Sequence, residues 1–334
     1  MNLYTNVYNK YLARNKIFSA MLEVTHRCPC DCIHCLLAEE HGDELTIDEI
    51  SNLFKQLREE GTINISISGG EPFLRNDLPT ILGEARNNGF IVSILTTGIT
   101  LGHAEVQLIK KLQISRIETS LLGANPETHD SLMRHPGAFN SMMKAVKLLR
   151  SEGINIIIKG TILKQNYSEL DGMADLCRSL GLPFLANVVI SPRTDGDTGI
   201  QASMLSDNEF IRLDPVHING GLIPDENTEG GAILSCKAGI TSACIAQQGD
   251  VYPCVIMRKK IGTIRKNTIK EIWHDNPDPF IIKLRTSKPE DASGCYSCEL
   301  KNNCKRCPGI AFLETGSVHG SPMSSCRLAG KIKR

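Results

Sequence analysis

Apolar runs rich in β-branched residues alternate with helical patterns along the first two thirds of the chain. The runs contain few polar residues, which is typical of strands buried on both faces of a parallel sheet. They lie at 21–25, 63–68, 90–96, 115–122, 154–163 and 183–190. The regular succession of strand and helix predicts parallel pairing with right-handed crossovers. Six such units predict an α/β fold, an open and partial (β/α)6 barrel of the TIM type.

Helices are predicted between most of these strands. The clearest begins at Thr46, which forms a capping box with Glu49, and ends at Gly61. Four others are predicted at 77–88, 103–112, 139–152 and 168–180. The last of them carries Cys177 on its apolar face, where a buried and unreactive thiol is expected.

Charge and hydropathy exclude several classes of protein. Lysine plus arginine equals aspartate plus glutamate at 37 each, so no strong field favours nucleic acid or an anionic membrane. No apolar run approaches the roughly 20 residues that cross a bilayer, and the first residues lack a secretion signal. We therefore expect a cytoplasmic protein without nucleic-acid or membrane partners. Disulfides rarely persist there, so ligation of metals or clusters better explains the 13 cysteines.

Four cysteines follow the first predicted strand directly, in the segment CPCDCIHC. Ligands of such sheets gather at the carboxyl ends of the strands, so this loop is the expected place for an active site. Cys28, Cys32 and Cys35 form a C-x3-C-x2-C pattern, which suits three irons of an iron–sulfur cube and leaves the fourth iron open to substrate. A closed zinc site that includes Cys30 is the alternative.

Eight further cysteines crowd the last third of the chain, two pairs of them in C-x2-C spacing. Zinc ribbons use such pairs, so zinc sites and iron–sulfur clusters are both open readings of this region. Within it, the basic stretch 258–266 is predicted to form a solvated hairpin, and a contact with an acidic partner is the alternative.

The chain resembles the radical S-adenosylmethionine (SAM) enzymes. The resemblance rests on CPCDCIHC after the first strand and on SGGEP at 68–72 after the second. It implies that Cys28, Cys32 and Cys35 bind a 4Fe–4S cluster whose open iron binds SAM. It also implies that SAM is contacted by Gly69, Gly70, Glu71, Pro72, His34, Thr97, Ser120 and Arg134.

The implied contacts differ in their chemistry. The two glycines of SGGEP expose backbone groups to the amino end of SAM, and Glu71 offers an acceptor for an ammonium. Ser120 is expected to touch the ribose or the carboxylate, and Arg134 to pair with the carboxylate through its planar fork. The flat ring of His34 is expected to border the adenine.

The last third resembles the SPASM extension of radical SAM enzymes, which houses two auxiliary 4Fe–4S clusters. The one departure in spacing is a residue fewer between Cys304 and Cys307. The family pattern implies a first set of Cys236, Cys244, Cys254 and Cys307, and a second set of Cys295, Cys298, Cys304 and Cys326. The implied domains are an N-terminal extension (1–18), a radical SAM core (19–205), a linker (206–232) and a SPASM domain (233–334).

The resemblance implies reductive cleavage of SAM to a 5′-deoxyadenosyl radical that removes hydrogen from an unactivated carbon. Most SPASM enzymes that the chain resembles modify ribosomally made peptides or proteins, and a smaller set acts on tetrapyrroles of haem biosynthesis. Val255 stands where sulfatase maturases usually have aspartate, which argues against that activity. The expected partners are a peptide or small-molecule substrate, a flavodoxin- or ferredoxin-type reductant and, for a peptide, a separate leader-binding protein. A non-enzymatic zinc or iron–sulfur scaffold is the remaining alternative.

Overall fold

The computed structural model describes residues 3–38, 42–212, 236–301, 304 and 306–332. The strands are β1 (Ser19–Thr25), β2 (Asn64–Gly69), β3 (Ile91–Thr96), β4 (Arg116–Ser120), β5 (Ile156–Thr161), β6 (Phe184–Asn187), β7 (Ser242–Ile245), β8 (Asp250–Tyr252) and β9 (Gly262–Thr263). The α-helices are α1 (Leu3–Arg14), α2 (Ile47–Glu59), α3 (Leu78–Asn87), α4 (His103–Lys111), α5 (Pro126–Met133), α6 (Ala138–Ser151), α7 (Leu170–Ser179), α8 (Asp207–Arg212), α9 (Pro279–Thr286), α10 (Ser293–Tyr296), α11 (Pro308–Thr315) and α12 (Met323–Ile332). Short 3₁₀ turns include Pro72–Leu74, and Glu271–Asp275 is a π-helical turn.

The described strands form one sheet in the order β6-β5-β4-β3-β2-β1-β7-β8-β9. Strands β1 to β6 pair in parallel with their neighbours in sequence, and helices connect them. The predicted partial (β/α)6 barrel is confirmed. The carboxyl ends of all six strands therefore meet on one side of the sheet.

The cysteine-rich region joins the same sheet. Strand β7 pairs in parallel with β1, so that Cys244 lies opposite Met21. Strands β8 and β9 then extend the sheet in antiparallel pairing. The sequence patterns did not predict this continuity, because strands of two to four residues are too short to show a recognisable period.

The predicted helices are present within a few residues of their expected bounds. Helix α2 has the predicted capping box, in which Glu49 N donates to Thr46 Oγ1 (3.2 Å) and Thr46 N donates to the Glu49 carboxylate (2.8 Å). The helix buries Ile50, Leu53 and Phe54 against the sheet. Each such side chain contributes about 1.5–3 kcal/mol when it is fully buried.

Four features differ from the expectations. The N-terminal extension contains α1, whose Tyr8 and Tyr11 rings meet Phe18 edge-on at 5.1 Å. Helix α5 was not predicted, since its two turns are too short to show a period, although Asn125 before Pro126 is a start signal. The solvated hairpin is wrong for Arg258, whose side chain is 5% exposed. The predicted linker contains α8, and its residues 213–232 lie outside the described residues.

Among the described helices, none combines the length and the apolar character needed to span a bilayer.

Candidate active site

A cavity of about 1230 Å³ lies at the carboxyl ends of the parallel strands. Its wall includes the cysteine loop, the residues that end or follow β2 to β6, and three residues of the cysteine-rich region. The strand-end residues are Ser68, Thr97, Ser120, Thr161 and Asn187, and the other three are Gln247, Val255 and Ile256. Both halves of the chain therefore enclose one chamber.

The cysteine loop lines this cavity with all four of its thiols, those of Cys28, Cys30, Cys32 and Cys35. The Cys30 thiol hydrogen-bonds to the thiols of Cys28 and Cys32. The hydrogen bond from Cys30 lowers the pKa of Cys28 to about 7, whereas burial raises the pKa of Cys35. The loop thus gathers soft sulfur ligands at the expected position.

The last turn of α5 holds the cysteine loop in place. Asp31 N donates to Met133 O (3.2 Å), and Ile33 N donates to Leu132 O (3.1 Å). These carbonyls belong to the group that a helix end leaves without intrahelical partners. Arg134 ends the helix in the left-handed conformation (φ 51°), and its guanidinium pairs with Asp31 at 2.6 Å. The unpredicted helix therefore positions the loop that carries the thiols.

The two-glycine turn after β2 lies directly against the chain that leads into the cysteine loop. A Cβ atom on Gly69 (φ 132°) would collide with Thr25 O, and one on Gly70 would collide with Arg27 O. Gly70 N donates to Thr25 O (2.8 Å), and Glu71 N donates to Arg27 O (2.9 Å). Glycine is therefore required here for close backbone approach, a reason that the sequence did not reveal.

Glu71 faces the protein interior rather than the cavity. Its carboxylate is fully buried and accepts hydrogen bonds from Thr96 Oγ1 (2.8 Å), from both Thr97 N (2.8 Å) and Thr97 Oγ1 (2.5 Å), and from Phe73 N (3.2 Å). Burial raises the pKa of Glu71, and these hydrogen bonds oppose the rise. The expected ammonium acceptor instead ties the turn after β2 to the turn after β3.

The predicted SAM-contacting residues divide into two groups. Five of them line the cavity, namely His34, Gly69, Gly70, Thr97 and Ser120. Three do not, namely Glu71, Pro72 and Arg134. Pro72 is buried in the 3₁₀ turn, and the Arg134 guanidinium pairs with Asp31 of the cysteine loop. Burial lowers the pKa of His34 to about 4, so its ring is neutral near pH 7.

A buried charge network at the cavity wall was not predicted. The Glu23 side chain is 1% exposed and pairs with Arg258 and with His26, whose Nε2 lies 3.2 Å away. The Arg258 guanidinium also lies over the Tyr252 ring, 4.9 Å from its centroid. Burial raises the pKa of Glu23, but the His26 hydrogen bond and the Arg258 charge outweigh it, and the net shift is downward. A charged residue inside the apolar run MLEVT was the signal in the sequence.

The distant cysteines approach one another in two groups. Cys254 lies close enough to Cys236 and Cys307 for their charges to interact, and burial raises the pKa of Cys254 to about 12. Cys304 and Cys326 interact in the same way with both members of the pair Cys295 and Cys298. These groups match three members of the first implied set and all four of the second. The remaining member, Cys244, is fully buried on β7, opposite Met21 and Tyr252.

The donor set suits iron–sulfur chemistry. A 4Fe–4S cluster binds its cysteines at separate iron atoms, and the chain offers groups of free thiols for it. The cavity wall also contains the buried Nδ1 atoms of His26 and His34, which have no hydrogen-bond partner in the described part of the chain. Thiols, a glycine turn and unsatisfied polar atoms in one chamber fit a cluster with a bound polar cofactor.

Comparisons with known proteins agree with this geometry. Residues 22–177 match the sequence model of the radical SAM superfamily, and residues 236–308 match that of SPASM, an iron–sulfur cluster-binding domain. An AdoMet-dependent heme synthase of Methanosarcina barkeri is 27% identical, over 88% of this chain and 92% of that protein. An Fe-coproporphyrin III synthase of the same organism is 26% identical, over 89% of this chain and 84% of that protein.

Among solved structures, Streptococcus suis SuiB bound to its precursor peptide SuiA has a TM-score of 0.69 at 18% identity, and the match covers 98% of this chain and 81% of SuiB. The two matched domains, the shared fold and the cysteine loop at the carboxyl ends of the strands lead to one conclusion: the chain is a radical SAM enzyme with a C-terminal SPASM iron–sulfur domain.

Proposed function

We propose that this enzyme modifies a ribosomally made peptide or protein by removing hydrogen from an unactivated carbon inside the cavity. The observation that carries the proposal is the segment 188–191, which follows β6, the outermost described strand on that side of the sheet. Val189, Ile190 and Ser191 of this segment line the cavity.

Three backbone groups of this segment have no hydrogen-bond partner among the described residues. Within the described residues, the N–H groups of Ile190 and Ser191 and the carbonyl of Val189 take part in no hydrogen bond. Buried backbone N–H and C=O groups normally have hydrogen-bond partners, because an unpaired group costs free energy. An extended peptide supplies matching donors and acceptors when it adds as a further strand at the edge of a sheet. A macrocycle with carboxylate side chains can accept an N–H group but offers no extended run of alternating donors and acceptors.

The chain's residues have separate roles in this proposal. Cys28, Cys32 and Cys35 would hold the SAM-binding cluster, and the five predicted residues of the cavity wall would surround SAM. Bound together and given one electron by an external reductant, the cluster and SAM would supply a 5′-deoxyadenosyl radical and methionine. The protein aligns the substrate carbon, excludes water and keeps the reacting groups close. The two C-terminal cysteine groups would hold auxiliary clusters that carry electrons to or from the chamber.

A second candidate function is chemistry on a tetrapyrrole. It is favoured by the curated relatives, since the two named as heme and Fe-coproporphyrin III synthases align with nearly the whole chain. Against it, the described cavity wall contains aliphatic and polar side chains but no phenylalanine, tyrosine or tryptophan on which a flat macrocycle would stack.

The two functions separate in one assay. The anaerobically reconstituted enzyme is incubated with SAM, a reductant and either the peptides encoded by short reading frames beside its gene or Fe-coproporphyrin III. We expect a change in peptide mass together with release of 5′-deoxyadenosine. Conversion of the porphyrin with every peptide unchanged would reject the peptide proposal.

A matched pair of variants tests the pairing segment. Ser191→Pro removes a backbone N–H, whereas Ser191→Ala removes only the hydroxyl. We expect the KM for the peptide to rise about fivefold in the proline variant and to stay within about twofold in the alanine variant, since one hydrogen bond is worth roughly 1 kcal/mol. Equal KM values for the two variants would contradict backbone pairing at this position.

The thiol of Cys30 provides a further prediction. Because Cys28, Cys32 and Cys35 suffice for a cluster with one open iron, Cys30→Ala is expected to keep the iron content and SAM cleavage of the parent enzyme. Cys35→Ala, the matched variant, is expected to lose about four irons per chain. Iron analysis and low-temperature EPR of the reduced proteins measure both, and loss of the cluster in Cys30→Ala would assign the ligands differently.

A further inference from the structure

The charged groups of the cavity wall are mostly engaged in ion pairs. Within the described residues, the pairs are Arg27 with Glu44, Asp31 with Arg134, and Glu23 with both His26 and Arg258. Arg193 also lines the cavity, and no carboxylate of the described residues forms an ion pair with it. Its neighbour Asp195 uses its carboxylate to accept the N–H of Asp197 at 2.9 Å. The chamber therefore contains one guanidinium that the described carboxylates do not neutralise.

The backbone holds Arg193 in a defined place. Arg193 N donates to Asp197 O (2.8 Å), and Gly196 N donates to Arg193 O (2.9 Å), which closes a tight turn. Thr194 N donates to Leu36 O (2.9 Å), directly after the cysteine loop. The Thr194 hydroxyl in turn accepts the N–H of Ala38 at 2.9 Å. The two hydrogen bonds of Thr194 thus fasten the turn to the chain that leaves Cys35.

The guanidinium lies near the reactive end of the chamber. Arg193 and Cys35 both line the cavity, and Thr194, which follows Arg193, hydrogen-bonds to Leu36, which follows Cys35. Segment 188–191, which we propose pairs with the substrate backbone, ends two residues before Arg193. A substrate group bound by Arg193 would therefore lie beside both segment 188–191 and the cysteine loop.

We propose that Arg193 binds a carboxylate of the substrate and so selects a reacting carbon close to an acidic group. The proposal rests on the cavity being the substrate chamber, as in the proposed function. A planar guanidinium binds a carboxylate through two parallel hydrogen bonds, which adds orientation to charge. On a peptide the partner is an aspartate, a glutamate or the C-terminus, and on a porphyrin it is a carboxylate side chain. The recognising chemistry is the same for both sources.

The test measures binding rather than turnover. Fluorescent peptides that tile the short reading frames beside the gene are titrated into the reconstituted enzyme in the presence of SAM. Each acidic peptide is compared with its Asn or Gln form, and in a second arm Fe-coproporphyrin III is compared with its methyl ester. We expect the parent enzyme to prefer one acidic form by about 10- to 100-fold, as charge-assisted hydrogen bonds imply.

Variants assign that preference to one side chain. Arg193→Gln is expected to abolish the preference, and Arg193→Lys to retain part of it, since lysine keeps the charge but loses the fork. Arg178→Gln removes a charge from the surface of α7, where the side chain is 72% exposed, and is expected to keep the full preference. The affinity for SAM, measured in parallel, is expected to be equal in all four proteins.

The outcomes separate this proposal from the proposed function. A preference that depends on Arg193 in the porphyrin arm alone would keep the carboxylate site and reject the peptide substrate. Peptides that bind equally as acids and amides would keep the peptide substrate and reject the carboxylate site. A loss of SAM affinity in Arg193→Gln, with the acid preference intact, would assign Arg193 to SAM and overturn the proposal.

Discussion

Replacing Cys28, Cys32 and Cys35 together by alanine is expected to abolish reductive cleavage of SAM completely. The three thiols are the only protein ligands that the proposal gives to the SAM-binding cluster, and all three line the cavity. The C-terminal cysteine groups lie in a different part of the sequence, from Cys236 onward. The variant should therefore keep about eight of about twelve irons per chain, because each cluster is bound by its own cysteines.

The measurement combines iron and sulfide analysis with chromatographic detection of 5′-deoxyadenosine under anaerobic conditions. Cys177→Ala is the matched control, since this thiol is buried in α7 and burial raises its pKa to about 12. It should keep the full iron content and activity. Continued SAM cleavage by the triple variant would show that the cluster is bound elsewhere.

Removing one partner of the buried pair between Glu23 and Arg258 is expected to destabilise the protein by about 3–5 kcal/mol. Both side chains are nearly inaccessible, at 1% and 5% exposure. Glu23→Gln would leave the Arg258 charge buried without this carboxylate. The pKa of Glu23 is lowered in the folded protein, so its contribution is fully present above the unfolded pKa and is lost only as the pH falls through the folded value. The full effect should therefore appear at pH 7.

The double variant Glu23→Met with Arg258→Met provides the control. Replacing both charges by apolar side chains of similar length is often neutral, so we expect it to recover most of the loss. Anaerobic urea unfolding of the holoenzyme, followed by circular dichroism, measures the free energy of unfolding. A single variant as stable as the parent would show that water or local rearrangement compensates the charge.

Local patterns in the sequence predicted the parallel core and the position of the cysteine loop. The β-branched runs, the capping box at Thr46 and the thiols after the first strand are each visible within about ten residues, and the structure confirms the fold built from them. Resemblance to a known family then supplied the cofactor chemistry, which spacing alone left open between zinc and iron.

Other features depend on contacts between segments far apart in sequence. Arg258 was predicted to be solvated because it begins a basic stretch with Lys259 and Lys260, yet its partner Glu23 lies 235 positions earlier. Glu71 was expected to contact SAM, because its hydrogen bonds to Thr96 and Thr97 cannot be predicted from the neighbouring sequence. The two turns of α5 carry too little periodicity to be found, although their last carbonyls hold the cysteine loop. Such roles are set by tertiary pairing and not by local propensity.

The parallel pairing of β7 with β1 has a consequence for how the two domains depend on each other. A barrel ending at residue 205 would present the backbone donors and acceptors of β1 from Ser19 to Leu22 to solvent, flanked by apolar side chains. An exposed edge of this kind recruits other chains and promotes aggregation. The C-terminal domain therefore covers the exposed edge of β1, in addition to providing the cysteines of two groups. Substitutions that unfold the C-terminal domain should first reduce the amount of soluble enzyme, before any defect in electron transfer becomes measurable.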